Sequence, residues 1–596
     1  MAILDKLRPK PAQGARDEDP EAIAVASPPT GNSAGANVAN APAEKPEDAL
    51  PNQDTQHGVQ KIEAVTLSWT KGSLAALLIS IWVIFLTNGL RLAILASLTP
   101  YVTSEFQSHS LLTIIRVVAN AMTAAVYIPM AKLLDVWGRA EGFLLMVGSA
   151  TLGVILMATS NGLATFCAAQ VFYSIGFAGI IYTVAVLAAD VTSLRNRGLA
   201  FAFTSSPYMI TAFAGSRAAE AFYYNVNWRW GFGSFAIIVP GVTIPLFVLL
   251  KYNLRKAEKR GIFLEKESSG RTFLQSVRHV IIEFDAPGVF LFAGGLTVFL
   301  LPFTLATSAP NGWRTGYIIG MIITGFIVLV LFALYEVYVA PAPFLKNKFL
   351  LDRTVIGACL IDLTYQISYY CWASYFTSFL QVVNNLTVAE AGYVNSTFQI
   401  VSGVLLFIVG FLIYRTGRFK WLFYFTVPIY TMGLGLMIYF RRPNQHIGYL
   451  IMCEIFISMG GSVFILLVQL AVLAAVDHQH VAAVLALLYV SGTVGGAIGS
   501  TISGTIWTNT FLGALQNNLP ASALPDVLLI YRSLPKQLSY PVGSIERLAI
   551  QESYGYAQAR MLTAGIAIFS LSFGWMFLIR NLNVSKNTGQ TRGIVF

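Results

Sequence analysis

The residues of this chain that could do chemistry are few, and most sit in or between long apolar stretches. Asp135, Gly138 and Arg139 stand at i, i+3 and i+4, where one apolar run ends and the next begins. Asp190 ends another run and is followed by Arg195 and Arg197. Charges beside lipid are costly, so they pair, snorkel to the interface or mark function. A network of Asp135, Arg139 and Asp190 between helix ends is one reading; plain snorkelling is the other. Arg91, Arg116 and Arg217 interrupt further apolar runs, with Asn88 and Asn120 one turn from the first two. Guanidinium and amide N–H groups suit an oxygen-rich ligand, although Arg116 and Arg217 also fit snorkelling. Tyr365, Tyr369 and Trp372 recur at i, i+4 and i+7 and share a helix face. That face reads as an aromatic wall for a bulky, mostly neutral ligand, or as packing. Asp362 and Glu454 are acids embedded in apolar runs. Burial favours the protonated form of a carboxyl, which suits proton exchange; a structural hydrogen bond is the rival.

The elements that must position these residues follow from composition. The chain has 596 residues, 55% hydrophobic and 11% charged, with a mean hydropathy of +0.63. A soluble chain carries about a quarter charged residues. Apolar runs of membrane-crossing length recur, which predicts an all-α polytopic membrane protein, because helices satisfy their own backbone in lipid. The alternating pattern of a membrane barrel is absent. Fourteen spans are expected, beginning near Gly72, Leu112, Glu141, Asn161, Leu199, Gly231, Pro287, Gly316, Thr354, Glu390, Trp421, Ile447, Val481 and Gly555. With the N-terminus placed in the cytoplasm, the inner loops hold eighteen Lys and Arg, against Arg229, Arg314, Arg441 and Arg442 outside. That asymmetry puts both termini in the cytoplasm.

Residues 1–70 are polar and rich in Pro, Ala, Asp and Glu, and read as a disordered cytoplasmic tail. Residues 252–285 read as a basic, amphipathic cytoplasmic linker, and 512–554 as a long outer loop, either poorly ordered or a lid over substrate. The sequon at Asn385 then lies outside, as a glycosylation acceptor. Cys167, Cys359, Cys371 and Cys453 all fall within spans and read as packing residues, not disulfides or metal ligands. The net charge of +10 suits anionic membrane lipid rather than nucleic acid. Gly492, Gly495, Gly496, Gly499 and Gly504 give overlapping GxxxG spacings, expected to pack helices closely.

Several blocks carry a resemblance. Asp135, Gly138 and Arg139 resemble the helix 2–3 motif of the major facilitator superfamily, and Gly410 with Tyr414–Arg418 resembles its degenerate second copy. Asn227–Phe232 resembles the fourteen-span branch related to drug:proton antiporters. The blocks His109–Leu112, Ala189–Leu199, Leu351–Thr354, Gly495–Gly499 with Ser503–Trp507, and Leu538–Gly543 with Tyr554–Gln558 resemble, in order and spacing, the fungal siderophore–iron transporters of that superfamily. Thr99–Ser104 is most similar to carriers of fusarinine-type hydroxamate siderophores.

The resemblance implies a major facilitator fold and no enzymatic activity. It implies a six-helix bundle over 71–251, an extra helix pair over 286–340, a second bundle over 341–580 and a short cytoplasmic tail, 581–596. Asp135, Gly138, Arg139, Asp190, Arg195 and Arg197 would gate the cytoplasmic mouth. Asn88, Arg91, Arg116, Asn120, Arg217, Tyr365, Tyr369 and Trp372 would hold a ferric hydroxamate, of fusarinine or ferrichrome type. Asp362 and Glu454 would couple import to protons. Iron would travel inside its chelator, with no resident metal, cofactor or required protein partner. The membrane would be that of the cell or an endosomal vesicle. The rival is a drug:proton antiporter; Phe172 and Ser205–Tyr208, which stand where that branch carries an arginine and a Gly-Pro motif, point away from it.

Overall fold

The computed structural model describes residues 57–584 apart from 108, 110–111, 262–274, 276–277, 279–280, 283, 307–308, 341–351 and 477–479. Most of the expected tail and of the 252–285 linker therefore lie outside the described residues. Helices make up nearly all the rest; Arg418 and Asn583 form one isolated bridge.

The helices are α1 (His57–Ser68), α2 (Lys71–Glu105), α3 (Leu112–Val136), α4 (Arg139–Ala158), α5 (Leu163–Asp190), α6 (Arg197–Ser205), α7 (Pro207–Ala221), α8 (Trp228–Gly233) and α9 (Phe235–Lys259). Then follow α10 (Ala286–Leu305), α11 (Gly316–Tyr338), α12 (Arg353–Ala373), α13 (Phe376–Val382), α14 (Val388–Asn395), α15 (Thr397–Thr416), α16 (Lys420–Phe440), α17 (Ile447–Ala474), α18 (Val481–Asn518), α19 (Val527–Arg532), α20 (Leu534–Ser539), α21 (Ile545–Phe569) and α22 (Ser572–Trp575). Starts are set by local side chains. Thr70 accepts from the Ser73 amide, Asp352 from the Thr354 and Val355 amides, and Thr387 forms a capping box with Glu390.

Among the described residues, eleven helices are long and apolar enough to cross a membrane. The three expected spans outside that set are also helical. The one expected near Leu199 is split into α6 and α7 at Pro207, which cannot donate to the preceding turn. The other two are α12 and α21, and α21 carries Glu546, Arg547, Glu552 and Arg560.

Helices α2 to α9 pack mainly among themselves, and α12 to α18 with α21 form a second group. The groups meet where α18 lies along α3 and where α15 lies along α6 and α7. The pair α10–α11 leans on α3 and α18 through α10, while α11 is largely exposed. The glycines of α18 do what their spacing predicts. A Cβ at Gly495 or Gly499 would meet the carbonyl oxygen of Leu363 or Ile367 at 2.4 or 2.7 Å, so α18 and α12 touch backbone to backbone.

Two stretches differ from expectation. The end of the 1–70 tail is helical: α1 buries Ile62, Ala64 and Val65 against α9 and α3, and the Ser68 hydroxyl donates to Asn253 O at 3.2 Å. The 512–554 loop is not a poorly ordered connector. Helix α18 runs on to Asn518, and α19 and α20 fold under bonds from Gln537, Arg547 and Tyr554 and are tied to distant residues by Leu534 to Ser104 and Arg547 to Val382. Polar composition hid that order, because the partners are far apart in sequence.

Candidate functional site

At one end of the helix groups, Arg139 holds two acids. Its Nη1 donates to Asp135 Oδ1 at 2.7 Å and to Leu134 O at 2.9 Å; its Nε donates to Asp190 Oδ2 at 3.2 Å. All three side chains are buried, in α3, α4 and α5. Gly138 stands at φ +119° between α3 and α4, a conformation closed to residues with a side chain. Glu141, one turn on, pairs with Lys251 and lies 3.8 Å from Lys61 of α1. Arg197 is buried and donates to Ala189 O at 2.8 Å and Thr192 O at 3.1 Å, which pins the α5–α6 turn. Arg195 reaches the other helix group, where its Nε donates to Tyr414 O at 3.3 Å. Beside it a Cβ on Gly410 would meet the backbone of Gly198 at 3.0 Å. Tyr182 adds a second cross-group bond, from its hydroxyl to Ala482 O at 2.6 Å.

Between the two groups lies a cavity of about 740 Å³, within the range of small-molecule sites. Five of the expected ligand residues line it: Asn88, Arg91, Arg116, Asn120 and Tyr369. Arg91 lies 4.0 Å from the Phe177 ring centroid, donates to Asn88 Oδ1 through Nε (3.2 Å) and Nη2 (2.6 Å), and bonds the Tyr173 hydroxyl. Asn88 in turn donates to Tyr208 at 2.7 Å. Arg116 reaches Ser374 Oγ across the cavity at 3.5 Å.

The other three are elsewhere. Arg217 is not in the cavity; its side chain is 74% exposed and pairs with Glu220 on the exterior of α7. Tyr365 and Trp372 are 2% exposed and inside the second group, with Tyr365 against the Tyr430 and Phe464 rings. Helix α12 is packed by α17, α18 and α21 on most sides, so the cavity meets only its Tyr369, Tyr370 and Ala373 edge. The expected aromatic face is thus rotated by about one residue. Asp362 and Glu454 are buried behind the cavity wall, Asp362 against Gly492, where a Cβ would sit 2.2 Å from Oδ2. The residues that sequence reasoning missed include Tyr127, Gln170, Tyr173, Tyr208, Gln399, Gln469 and Tyr489, all lining the cavity. Amides and tyrosines inside apolar runs were the available signal.

The opposite end is covered. The Tyr101 hydroxyl bonds Gln381 of α13, and the Leu534 amide of α20 donates to Ser104 Oγ at 3.0 Å. Arg547 fastens this cover to Gln537 O (2.7 Å), Val382 O (3.0 Å), Gln381 O (3.1 Å) and Asn385 Oδ1 (3.2 Å). Asn385 itself is in an exposed turn.

A model of the major facilitator superfamily matches residues 78–361. The siderophore iron transporter mirB of Emericella nidulans is 65% identical over 550 residues, 92% of this chain and 91% of its own length. The MFS siderochrome iron transporter 1 of Gibberella zeae is 63% identical over 97% of this chain and 95% of its own. The MFS siderochrome iron transporter B of Aspergillus fumigatus is 58% identical over 100% and 97%. Among solved structures, a bacterial homologue of the human lysosomal transporter Spinster, inward-facing and unoccupied, superposes with a TM-score of 0.51 at 13% identity, covering 86% of this chain and 97% of that one. The peptide transporter POT in complex with sulfate gives 0.51 at 16% identity, covering 88% and 99%. Both have the same fold.

Proposed function

The chain belongs to the siderophore iron transporters of the major facilitator superfamily, and from that premise we propose that it imports ferric hydroxamate siderophores by alternating access, driven by protons. The observation that carries the reading is the cavity: two arginines, several amides and tyrosine hydroxyls converge between two helix groups. Such donors match the carbonyl and hydroxamate oxygens on the outside of a ferric chelate. Asn88, Arg91, Arg116, Asn120 and Tyr369 are assigned to cargo, and fusarinine-type chelates are the favoured kind, above all triacetylfusarinine, whose amines are acylated and uncharged.

In this reading fourteen helices span the membrane, with α6–α7, α12 and α21 completing the eleven apolar ones, and both termini are cytoplasmic. The bundles run over 71–251 and 341–580, with 286–340 as an added pair. The Asp135, Gly138, Arg139 and Asp190 cluster, with Arg195 and Arg197, closes the cytoplasmic mouth, and Asn385 accepts a glycan outside. Proton coupling falls to Asp362 and Glu454, which are buried, with Arg441 facing Glu454. The protein acts in the cell membrane or in an endosomal one.

The test is uptake of labelled iron, presented as fusarinine-type or ferrichrome-type chelates, in cells that lack their own carriers. Iron accumulation is expected; drug resistance without accumulation would favour an exporter instead. Asp362→Asn and Glu454→Gln should each flatten the pH dependence of uptake, and an unaltered pH profile would remove that residue from the coupling.

A further inference from the structure

A cavity is defined as much by the charges it lacks as by those it holds. Among the described residues lining this one, Arg91 and Arg116 are charged, and no aspartate, glutamate, lysine or histidine joins them. The two arginines differ. Arg91 commits three of its five N–H donors to Asn88 and Tyr173 and lies against the Phe177 and Tyr173 rings. It is 7% exposed and braces the wall of its own helix group. Among the described residues, Arg116 makes one hydrogen bond, to Ser374 at the 3.5 Å limit, and meets one ring, Tyr370, at 5.8 Å. Both contacts are uncharged. Asn120, one turn further along α3, lines the same wall and has its Nδ2 without an acceptor among the described residues.

We propose that Arg116 selects the cargo by charge, so that the cavity takes ferric chelates of zero or negative net charge and rejects those bearing a protonated amine. A cationic group would enter a partly desolvated space opposite a fixed guanidinium, with no carboxylate in the lining to pair with it. A neutral or anionic chelate instead offers oxygens to donors that the protein leaves free. The same arginine touches the cover of the cavity. Ser374 directly precedes Tyr375, which sits at φ +58° in the left-handed region and stacks on Trp507 at 4.1 Å. A bulky aromatic residue in that conformation is strained. Arg116 thus sits beside a strained joint between α12 and α13.

The inference rests on the transport reading above and is tested in the same carrier-deficient cells. Uptake of a labelled neutral ferric trihydroxamate is competed by chelates of one hydroxamate core with net charge −1, 0 or +1. In the wild type the cationic chelate should need at least tenfold more for half-inhibition than the neutral one. Arg116→Gln should bring that ratio within twofold, while Arg116→Lys keeps it. Arg116→Met, which retains the stem, serves should the glutamine variant fail to reach the membrane. A change in overall fold moves total uptake but not the ratio. Competition indifferent to charge in the wild type, or a ratio that survives both Arg116→Gln and Arg116→Met, would overturn the inference alone. Uptake of no chelate at all would sink the transport reading and the inference with it.

Discussion

Arg139 and Arg547 are buried at the rims of the two helix groups, at opposite ends of the cavity, and they are satisfied in different ways. Arg139 in the first group is matched to two carboxylates, Asp135 and Asp190. Arg547 in the second is matched to oxygens without formal charge: three carbonyls and the Asn385 amide. The first arrangement is a closed ionic cluster within α3, α4 and α5, and the seam to the other group is left to Gly198–Gly410, Tyr182 and Arg195. The second is a stitch that turns a polar insertion into a cover, and α20 then bonds Ser104 of the first group directly. In the proposed transport cycle the ionic cluster would fix a rim that parts along a thin seam, and the carbonyl stitching would let the cover move as one piece.

The comparison breaks first at Arg139. Arg139→Ala removes the matched cation from two buried carboxylates, a loss of about 3–5 kcal/mol. A thermal melt of the purified protein in micelles should fall steeply and uptake should vanish. A melt close to wild type would mean that the acids are wetted and that the cluster is not a structural unit. Arg547→Ala leaves oxygens without formal charge lacking their donor, so a smaller loss of about 2–3 kcal/mol is expected. The signature should be local: faster proteolysis within 519–544, with the rest of the fold intact. Equal losses from the two variants would erase the distinction between the two rims.

The sequence announced the first rim and hid the second, for a physical reason. Asp135, Gly138 and Arg139 lie within five residues, and Asp190 closes the next inner turn, so local spacing carried the partnership. Arg547 bonds residues 165 positions away, at Val382, and no local pattern encodes that. The cavity was legible in part. Arginines and asparagines in apolar runs are conspicuous because burying them is costly, and four of them did face inward. Tyr127, Tyr173, Tyr208 and Tyr489 were not conspicuous, since tyrosine serves equally in packing and at interfaces. Periodicity put Tyr365 and Trp372 on a face with Tyr369, but could not say which edge of a helix packed on most sides would meet the cavity.

The cover end should also respond to pH. His109, in the short connection between α2 and α3, is fully buried against the Tyr375 ring at 5.9 Å. Burial pushes its imidazole down from 6.5 to about 4. The folded value is below the unfolded one, so the stabilisation is complete above pH 6.5 and is lost as the pH falls toward 4. Between pH 6.5 and 5 the loss should be about 2 kcal/mol, read as a falling melting temperature that His109→Gln flattens. An unchanged slope in that variant would assign the acid sensitivity elsewhere.

The smallest effect is expected where the sequence expectation and the structure disagree most. Arg217 shares with Arg91 and Arg116 its type and its setting in an apolar run, yet its side chain is 74% exposed and pairs with Glu220 one turn away. An exposed pair of this kind contributes within about 0.5 kcal/mol. Arg217→Ala should therefore leave the melt, the apparent affinity for chelate and the charge ratio at wild-type values. A weakened apparent affinity with an unaltered melt would instead bring Arg217 to the cargo in another state of the cycle. The exterior of α7 would then form part of the entry path, and the contrast between the rims would extend to the route by which cargo arrives.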